Sequence, residues 1–470
     1  MTERTFFYTE SLGEYVHHID YSRIPENAIH ACKLHILDTL GVALAGSMTP
    51  WAKIVADWAK GRSAPGNATI LRTWEKTECT TAALVNGTFS HSLDYDDDPG
   101  LCHIGAVVVP ASLAVGEEKR ISGRELVTAV NVGYDVVTRV EEAFNGEKMF
   151  SRGFHPTAVC GVFGAAACAS RITGLTSEET ANALGIAGSF ASGLMEFIAD
   201  GSMTKRIHTG WAAQAGISAA SLAARGFTGP KSIFEGKFGL RAYSGNFRGS
   251  KLLRDLGKRF DVLNSGLKKH PSCLYNAPAI DAILELVENG VIDRENVKRI
   301  DVNVRKAAFA LVGDPIHRKQ NPTTILDAQM SMPFCLASAV VDRELCLRQF
   351  SRQKISDRRI LELARKVWVT ADRKLDRLPP NNLTTIINIK LNDGRKIRRV
   401  KEHYYGEPCH PLSEEDVVRK FKECAGMVMK PEDTEQLARS ILKVESVPDV
   451  AMLLDVFRSG PSKTIKSSRQ

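Results

Sequence analysis

The chain has 470 residues, 43% of them hydrophobic and 25% charged, which is the balance of a folded protein of two or three domains and excludes a disordered or fibrous class. Its 62 Lys+Arg against 54 Asp+Glu give +8 without a dense basic stripe, which argues against a nucleic-acid partner and suits small anions. There is no charged-then-apolar leader and no run of roughly 18 apolar residues, and the ten cysteines include no C-x-x-C pair. The expectation is a cytoplasmic protein with reduced thiols, no membrane segment and no zinc-ribbon or iron–sulfur motif.

In chain order, residues 24–46 open with Pro25 and carry apolar residues at helical spacing, and 78–93, 105–119 and 122–145 also read as helices. Ser122 with Glu125, and Thr176 with Glu179, form the S/T-x-x-E pattern of a capping box.

Between the second and third of these helices lies HSLDYDDDPGLCHIG, residues 91–105, with Asp94, Asp96, Asp97 and Asp98 between His91 and His103. A calcium loop fails here, because Pro99 stands where the turn glycine is needed and Gly105 where the bidentate Glu belongs. D-Y-D-D matches the D-x-D-D of helical terpene cyclases, but aromatic residues are only 7% of the chain, too few to line a carbocation cavity. A transition-metal site on His91, Asp94 and His103 lacks a second His/Glu cluster at ligand spacing. Because the loop abuts the apolar run IGAVVVPASLAV, an acid at Asp94 has a tunable pKa, and a general acid/base role is favoured over a solvated loop.

From 153 to 225 the chain is crowded with Ala, Gly and Ser, which predicts closely approaching helices at the centre of a helical core. His155 precedes the first of these helices; Lys205, Arg206 and His208 precede another. Cations next to helix N-terminal N–H groups hold carboxylates. After 265 the pattern changes. Lys268, Lys269 and His270 mark a junction, KRIDVNVRK alternates Ile300, Val302 and Val304 on one face, and KVWVTAD and TTIINIKLNDGRKIRRVKE read as strands, the last turning at Asp393-Gly394. Leu378-Pro379-Pro380-Asn381 reads as a loop. Beyond 405, SEEDVVRKFKECAG and PEDTEQLARSILKV return to amphipathic helix with acidic first turns, and a basic tail from about 460 reads as disordered.

The expected fold is therefore mainly α: a helical domain from residues 1–265 and 405–470, interrupted by an α+β segment at 266–404. An acid, several His and two Lys, with no dinucleotide, P-loop or nucleophile-elbow motif, point to proton chemistry on a di- or tricarboxylate, where Lys and His stabilise the dianionic intermediate.

The segments IHACKLHILDTLGVALAG, AALVNGTFSHSLDYDD, RGFHPTAVCGVFGAAA, DGSMTKRIHTGWAAQAG and KKHPSCLYNAPAID, in that order, resemble the MmgE/PrpD family, which includes 2-methylcitrate dehydratases, cis-aconitate decarboxylase and iminodisuccinate epimerase. The resemblance runs from about residue 8 to 455. It implies a helical domain with an inserted α+β lid, a homodimer, and activity without metal or organic cofactor. Carried over by motif, it places the catalytic set at Asp94, His103, His155, Lys205 and Lys268; beside them, Asp98, Arg206, His208 and Lys269 are expected to bind substrate. In that reading Lys205 and Lys268 clamp carboxylates, His155 and Asp94 exchange protons, and His103 supports the anion or acts as a second acid. Asp98 replaces the Thr of the decarboxylase, and Leu274 and Ala277 stand where Arg and His are frequent. An extra carboxylate repels a tricarboxylate, so these departures weigh most against the decarboxylase and point toward a smaller substrate or one bearing an amine or imine; the reading drawn from the whole set is a 2-methylcitrate-like hydro-lyase, with epimerase or decarboxylase as alternatives. A different class is a helical dimer that keeps the fold without turnover.

Overall fold

The computed structural model describes residues 7–97, 101–379, 382–455 and 457; Asp98, Pro380, Asn381 and the basic tail lie outside the described residues. The chain is mainly helical. The first nine long helices are α1 (Tyr8–His18), α2 (Glu26–Gly46), α3 (Pro50–Lys60), α4 (Cys79–Ser90), α5 (Gly105–Lys119), α6 (Gly123–Phe144), α7 (Pro156–Thr173), α8 (Ser177–Phe190) and α9 (His208–Ala223). Both predicted capping boxes start helices, Ser122 at α6 and Thr176 at α8, each satisfying backbone N–H groups left open in a first turn. Helix α2 is apolar and long enough to cross a bilayer by composition, but 78% of its apolar window is buried inside the fold.

The small residues do what their density predicted. A Cβ on Gly210 of α9 would sit 2.0 Å from the Leu84 carbonyl oxygen of α4, and one on Gly87 of α4 would sit 2.7 Å from Gly210 Cα. Only glycine allows this crossing. Thr209 Oγ1 then donates to the Gly87 carbonyl at 2.7 Å. The result is that the first turn of α9 meets the end of α4, bringing His208 and the acidic loop to one place.

The second core surrounds a four-stranded sheet made of β1 (Val297–Val304), β2 (Val367–Ala371), β3 (Thr385–Leu391) and β4 (Lys396–Lys401). Its order is β2-β1-β3-β4. Strand β1 pairs parallel with β2, Ile300 opposite Val367, and antiparallel with β3, Ile300 opposite Ile389. The β3–β4 hairpin turns at the predicted Asp393-Gly394, where Gly394 has φ +93. Ile300, Val302, Val304, Ile387 and Ile389 are buried together with α10 (Ala277–Glu288) and α11 (Met332–Asp342). Exposed Arg398, Arg399 and Lys396 keep β4 a charged edge strand.

The chain then returns to the helical core. Helices α12 (Glu414–Ala425) and α13 (Pro431–Leu442) pack against α2, placing Phe421, Leu437 and Ile441 in the same apolar cluster as Leu37 and Leu40.

Candidate active site

Helix α4 stops at Ser90 because His91 caps it and the chain turns through His91–Leu93 into the acidic loop. Asp94 adopts φ +52, in the left-handed region. Asn and Asp are among the non-glycine residues that tolerate that region, though still at a cost, so the surroundings must hold Asp94 there. They do so from three directions. Gln329 donates its amide to the Leu93 carbonyl, Lys268 Nζ donates to the Asp94 carbonyl at 3.1 Å, and Lys420 Nζ of α12 donates to the Tyr95 carbonyl at 2.8 Å.

The Asp94 side chain is buried between two cations. Lys205 Nζ lies 2.7 Å from Oδ1 and Lys268 Nζ 3.3 Å from the same oxygen, while His103 Nε2 stands 3.8 Å away. Burial by itself raises the Asp94 carboxyl; the two ammonium groups overcome this and hold it well below the usual carboxylate range. Two ammonium groups against one carboxylate leave local positive charge, suited to an incoming anion. Asp94 Oδ2 is buried without a hydrogen-bond partner.

Behind this carboxylate stands a set of imidazoles. Asp96 Oδ2 takes His91 Nδ1 at 2.8 Å and faces His103 Nδ1 at 3.1 Å. Burial raises Asp96, but His91 and then His103 pull it well below the ordinary range. Burial also pushes His91 down to about 3 despite Asp96. His155 caps α7, and its Nδ1 lies 2.9 Å from His208 Nδ1, so one ring donates and the other accepts. Burial, reinforced by His208, holds His155 well below the usual histidine range, and burial with Lys205 takes His208 down to about 4. The His91 and His103 ring centroids are 4.4 Å apart, with His155 at 6.0 Å from His91.

The fold thus brings together Asp94, His103, Lys205 and Lys268, with His155 and His208 alongside. Arg206 is buried beside them, but its guanidinium is spent on structure: it donates to the His91 carbonyl at 3.3 Å and to Gln329 Oε1 at 2.8 Å, and lies over the Trp51 ring. A cavity of about 750 Å³ between the helical core and the α+β unit reaches Arg206, lined also by Trp51, Ser202, Thr324 and Arg352. One expectation needs correction. Lys269 does not join the cluster; its side chain is 42% exposed, 3.8 Å from Asp281, and over the Tyr405 ring. Asp96, to which the sequence alone assigned no role, faces the site through His91 and His103. Asp97 is the structural acid: it accepts from Tyr134 at 2.5 Å, lies 3.2 Å from His35, and caps α5 through Gly105 N–H at 2.8 Å. Asp98 lies outside the described residues.

Two positioning residues escaped the sequence reading. Gln329 touches the neighbours of three candidate catalytic residues: Leu93 beside Asp94, Pro271 near Lys268 at 3.2 Å, and Arg206 beside Lys205. No periodicity marks it. Lys420 was legible, since it shares the buried face of α12 with Val417, Phe421 and Cys424, where spacing calls for an apolar residue.

Ligand atoms of His91, Asp94, Asp96 and His103 all lie within 4.8 Å of one another, compact enough to surround a cation. Asp94 is nevertheless already neutralised by two ammonium groups and Asp96 is committed to two imidazoles, so a divalent cation entering here meets Lys205 and Lys268 at close range. The charge arrangement favours an anion.

Residues 10–250 match the MmgE/PrpD N-terminal domain and residues 270–445 the MmgE/PrpD C-terminal domain. Among characterised relatives, human cis-aconitate decarboxylase is 28% identical over 97% of this chain and 95% of its own length. The cis-aconitate decarboxylase-like protein oryM of Aspergillus oryzae is 27% identical over 95% of this chain and 96% of its own. The cis-aconitate decarboxylase of Aspergillus terreus is 26% identical over 92% of each. With both halves of the fold matched in order, the chain belongs to the MmgE/PrpD family.

Proposed function

We propose that this protein is a lyase acting on a small polycarboxylic acid, and that its reaction is decarboxylation of a cis-aconitate-like substrate. The observation that carries the reading is the buried Asp94 carboxylate pinned between Lys205 and Lys268 and backed by histidines. The choice of decarboxylation over 2-methylcitrate dehydration, despite the departures at Asp98, Leu274 and Ala277, rests on the relatives, which bear the decarboxylase name over nearly their full length. Those three departures bear on substrate fit rather than on the proton-handling residues.

In this reading two substrate carboxylates replace part of Asp94's hold on Lys205 and Lys268. The bond from the leaving carboxylate to its methylene carbon breaks, CO2 departs, and the electron pair spreads over the allylic unit conjugated to a retained carboxylate. The ammonium groups stabilise the accumulating negative charge. A proton then adds to carbon from His103, and solvent restores it. Asp94, held ionised, orients Lys205 and Lys268.

A second reading, dehydration of a 2-methylcitrate-like acid, uses the same clamp, since that acid also presents carboxylates to Lys205 and Lys268. The test is a panel of cis-aconitate, 2-methylcitrate, citrate and iminodisuccinate followed by NMR. CO2 release from cis-aconitate alone supports the first reading, alkene formation from 2-methylcitrate the second. Inertness toward all of them overturns the substrate class.

A further inference from the structure

Between β4 and α12 the chain makes a tight turn whose side chains have no part in the chemistry above. Gly406 N–H donates to the His410 carbonyl at 2.8 Å and His410 N–H to the Glu407 carbonyl at 2.9 Å, so the Glu407–His410 turn is closed by backbone bonds from both sides. Gly406 has φ +110, and a Cβ there would meet the Leu267 carbonyl oxygen at 2.1 Å, so the turn is pressed against its neighbour and holds one shape. From this frame three ligand-bearing side chains converge. His403 Nδ1 lies 2.6 Å from Glu407 Oε1 and 3.4 Å from Cys409 Sγ, and all three ligand atoms fall within 4.8 Å of one another. Glu407 is largely buried, whereas His403 and Cys409 are exposed, which leaves one side open to solvent. Cys409 is the exposed cysteine of the chain; the other nine are buried or half-buried.

We propose that His403, Glu407 and Cys409 form a binding site for a borderline-soft divalent cation of the zinc class, with the fourth position taken by water. The donor set is one imidazole nitrogen, one carboxylate oxygen and one thiolate sulfur, the mixture that zinc accepts and that magnesium or calcium does not. Binding replaces the thiol proton with the metal, and that proton goes to solvent. The ligands are spaced four and two residues apart on a preformed turn, so little chain entropy is lost on binding. The site also reaches the catalytic segment, because the Gly406 carbonyl accepts the Leu267 N–H at 2.9 Å, one residue before Lys268. A bound cation therefore braces the segment that carries that lysine. The inference is independent of the substrate assigned above, since its readout is metal binding.

The test is titration of the full-length, metal-stripped protein with cobalt(II), read as thiolate-to-metal charge-transfer absorbance, followed by displacement with zinc. The expected result is a band saturating at one equivalent, abolished in Cys409→Ser, and weakened at least tenfold in apparent affinity in Glu407→Gln and His403→Ala, with circular dichroism unchanged. A parallel titration of His91→Asn, in the other cluster of close ligand atoms, is expected to keep the band. Absence of the band in the wild-type protein, or its persistence in Cys409→Ser, overturns the proposal.

Discussion

Replacing Lys420 by Met is the perturbation whose size the structure sets most clearly. Its ammonium group lies 2.7 Å from Asp38 Oδ1 and donates to the carbonyls of Tyr95 and Lys268, each at 2.8 Å, with the Tyr95 ring centroid 3.8 Å away. The Lys420 side chain is 5% exposed and that of Asp38 0%. Methionine keeps the volume and removes the charge, leaving a buried carboxylate and two buried carbonyls without their donor. Breaking a buried ion pair from one side costs about 3–5 kcal/mol, and each orphaned carbonyl adds about 1–3 kcal/mol before relaxation. Burial already raises the Asp38 carboxyl, so it will protonate and recover part of that cost. The expected net destabilisation is about 3–5 kcal/mol, read by urea denaturation at matched m-value. The double variant Asp38→Leu/Lys420→Met should be less destabilised than the sum of the two singles, because the stranded charge is gone. Turnover should fall as well, since the two carbonyls belong to Tyr95, next to Asp94, and to Lys268 itself. A loss below about 1 kcal/mol with unchanged kinetics would refute this account of how the C-terminal helix holds the site.

Gln329→Ala should lower kcat more than it raises KM, by roughly ten- to a hundredfold, the range seen when supporting contacts of a site are lost; steady-state kinetics with melting temperature as the fold control will check it. For His208 the pH dependence follows from its depressed value. A folded pKa of about 4 against an ordinary 6.5 means that the unfolded chain binds more protons between those values, so this group's contribution is full above about 6.5 and is lost as pH falls toward 4. The His208→Asn variant should therefore show a slope of stability against pH smaller by about one proton in that window, and parallel curves for variant and wild type would contradict the burial argument. Lys269→Ala should leave kcat/KM within about twofold, because this exposed side chain pairs at 3.8 Å with Asp281 rather than with the cluster; a loss above tenfold would return Lys269 to the site.

Much of the fold was legible in the sequence because local physics and tertiary packing agree there. The capping boxes at Ser122 and Thr176, the alternation at Ile300, Val302 and Val304, and the Asp393-Gly394 turn each specify structure within a few residues. The pairing of β1 with both β2 and β3 is a long-range choice, and nothing within a strand encodes it. The site divides in the same way. Asp94, His103 and Lys205 carry polar groups into apolar or small-residue surroundings, and that mismatch is visible in the chain. Whether Asp96 or Asp97 faces the histidines depends on the left-handed turn at Asp94, which rotates the following residues, and composition does not reveal it. Gln329 is further from view, since its role exists only once residues 93, 206 and 271 have been brought together.

The central claim is that Asp94, Lys205 and Lys268 form one lyase centre for a polycarboxylate, and CO2 release from cis-aconitate in deuterated water tests it most directly. The account predicts stoichiometric CO2 with one deuterium fixed on carbon of the product, and loss of both in Lys205→Ala and Lys268→Ala proteins that keep their circular dichroism. Release of CO2 at the wild-type rate by either lysine variant, or no CO2 and no deuterium incorporation with the wild-type protein, would contradict it.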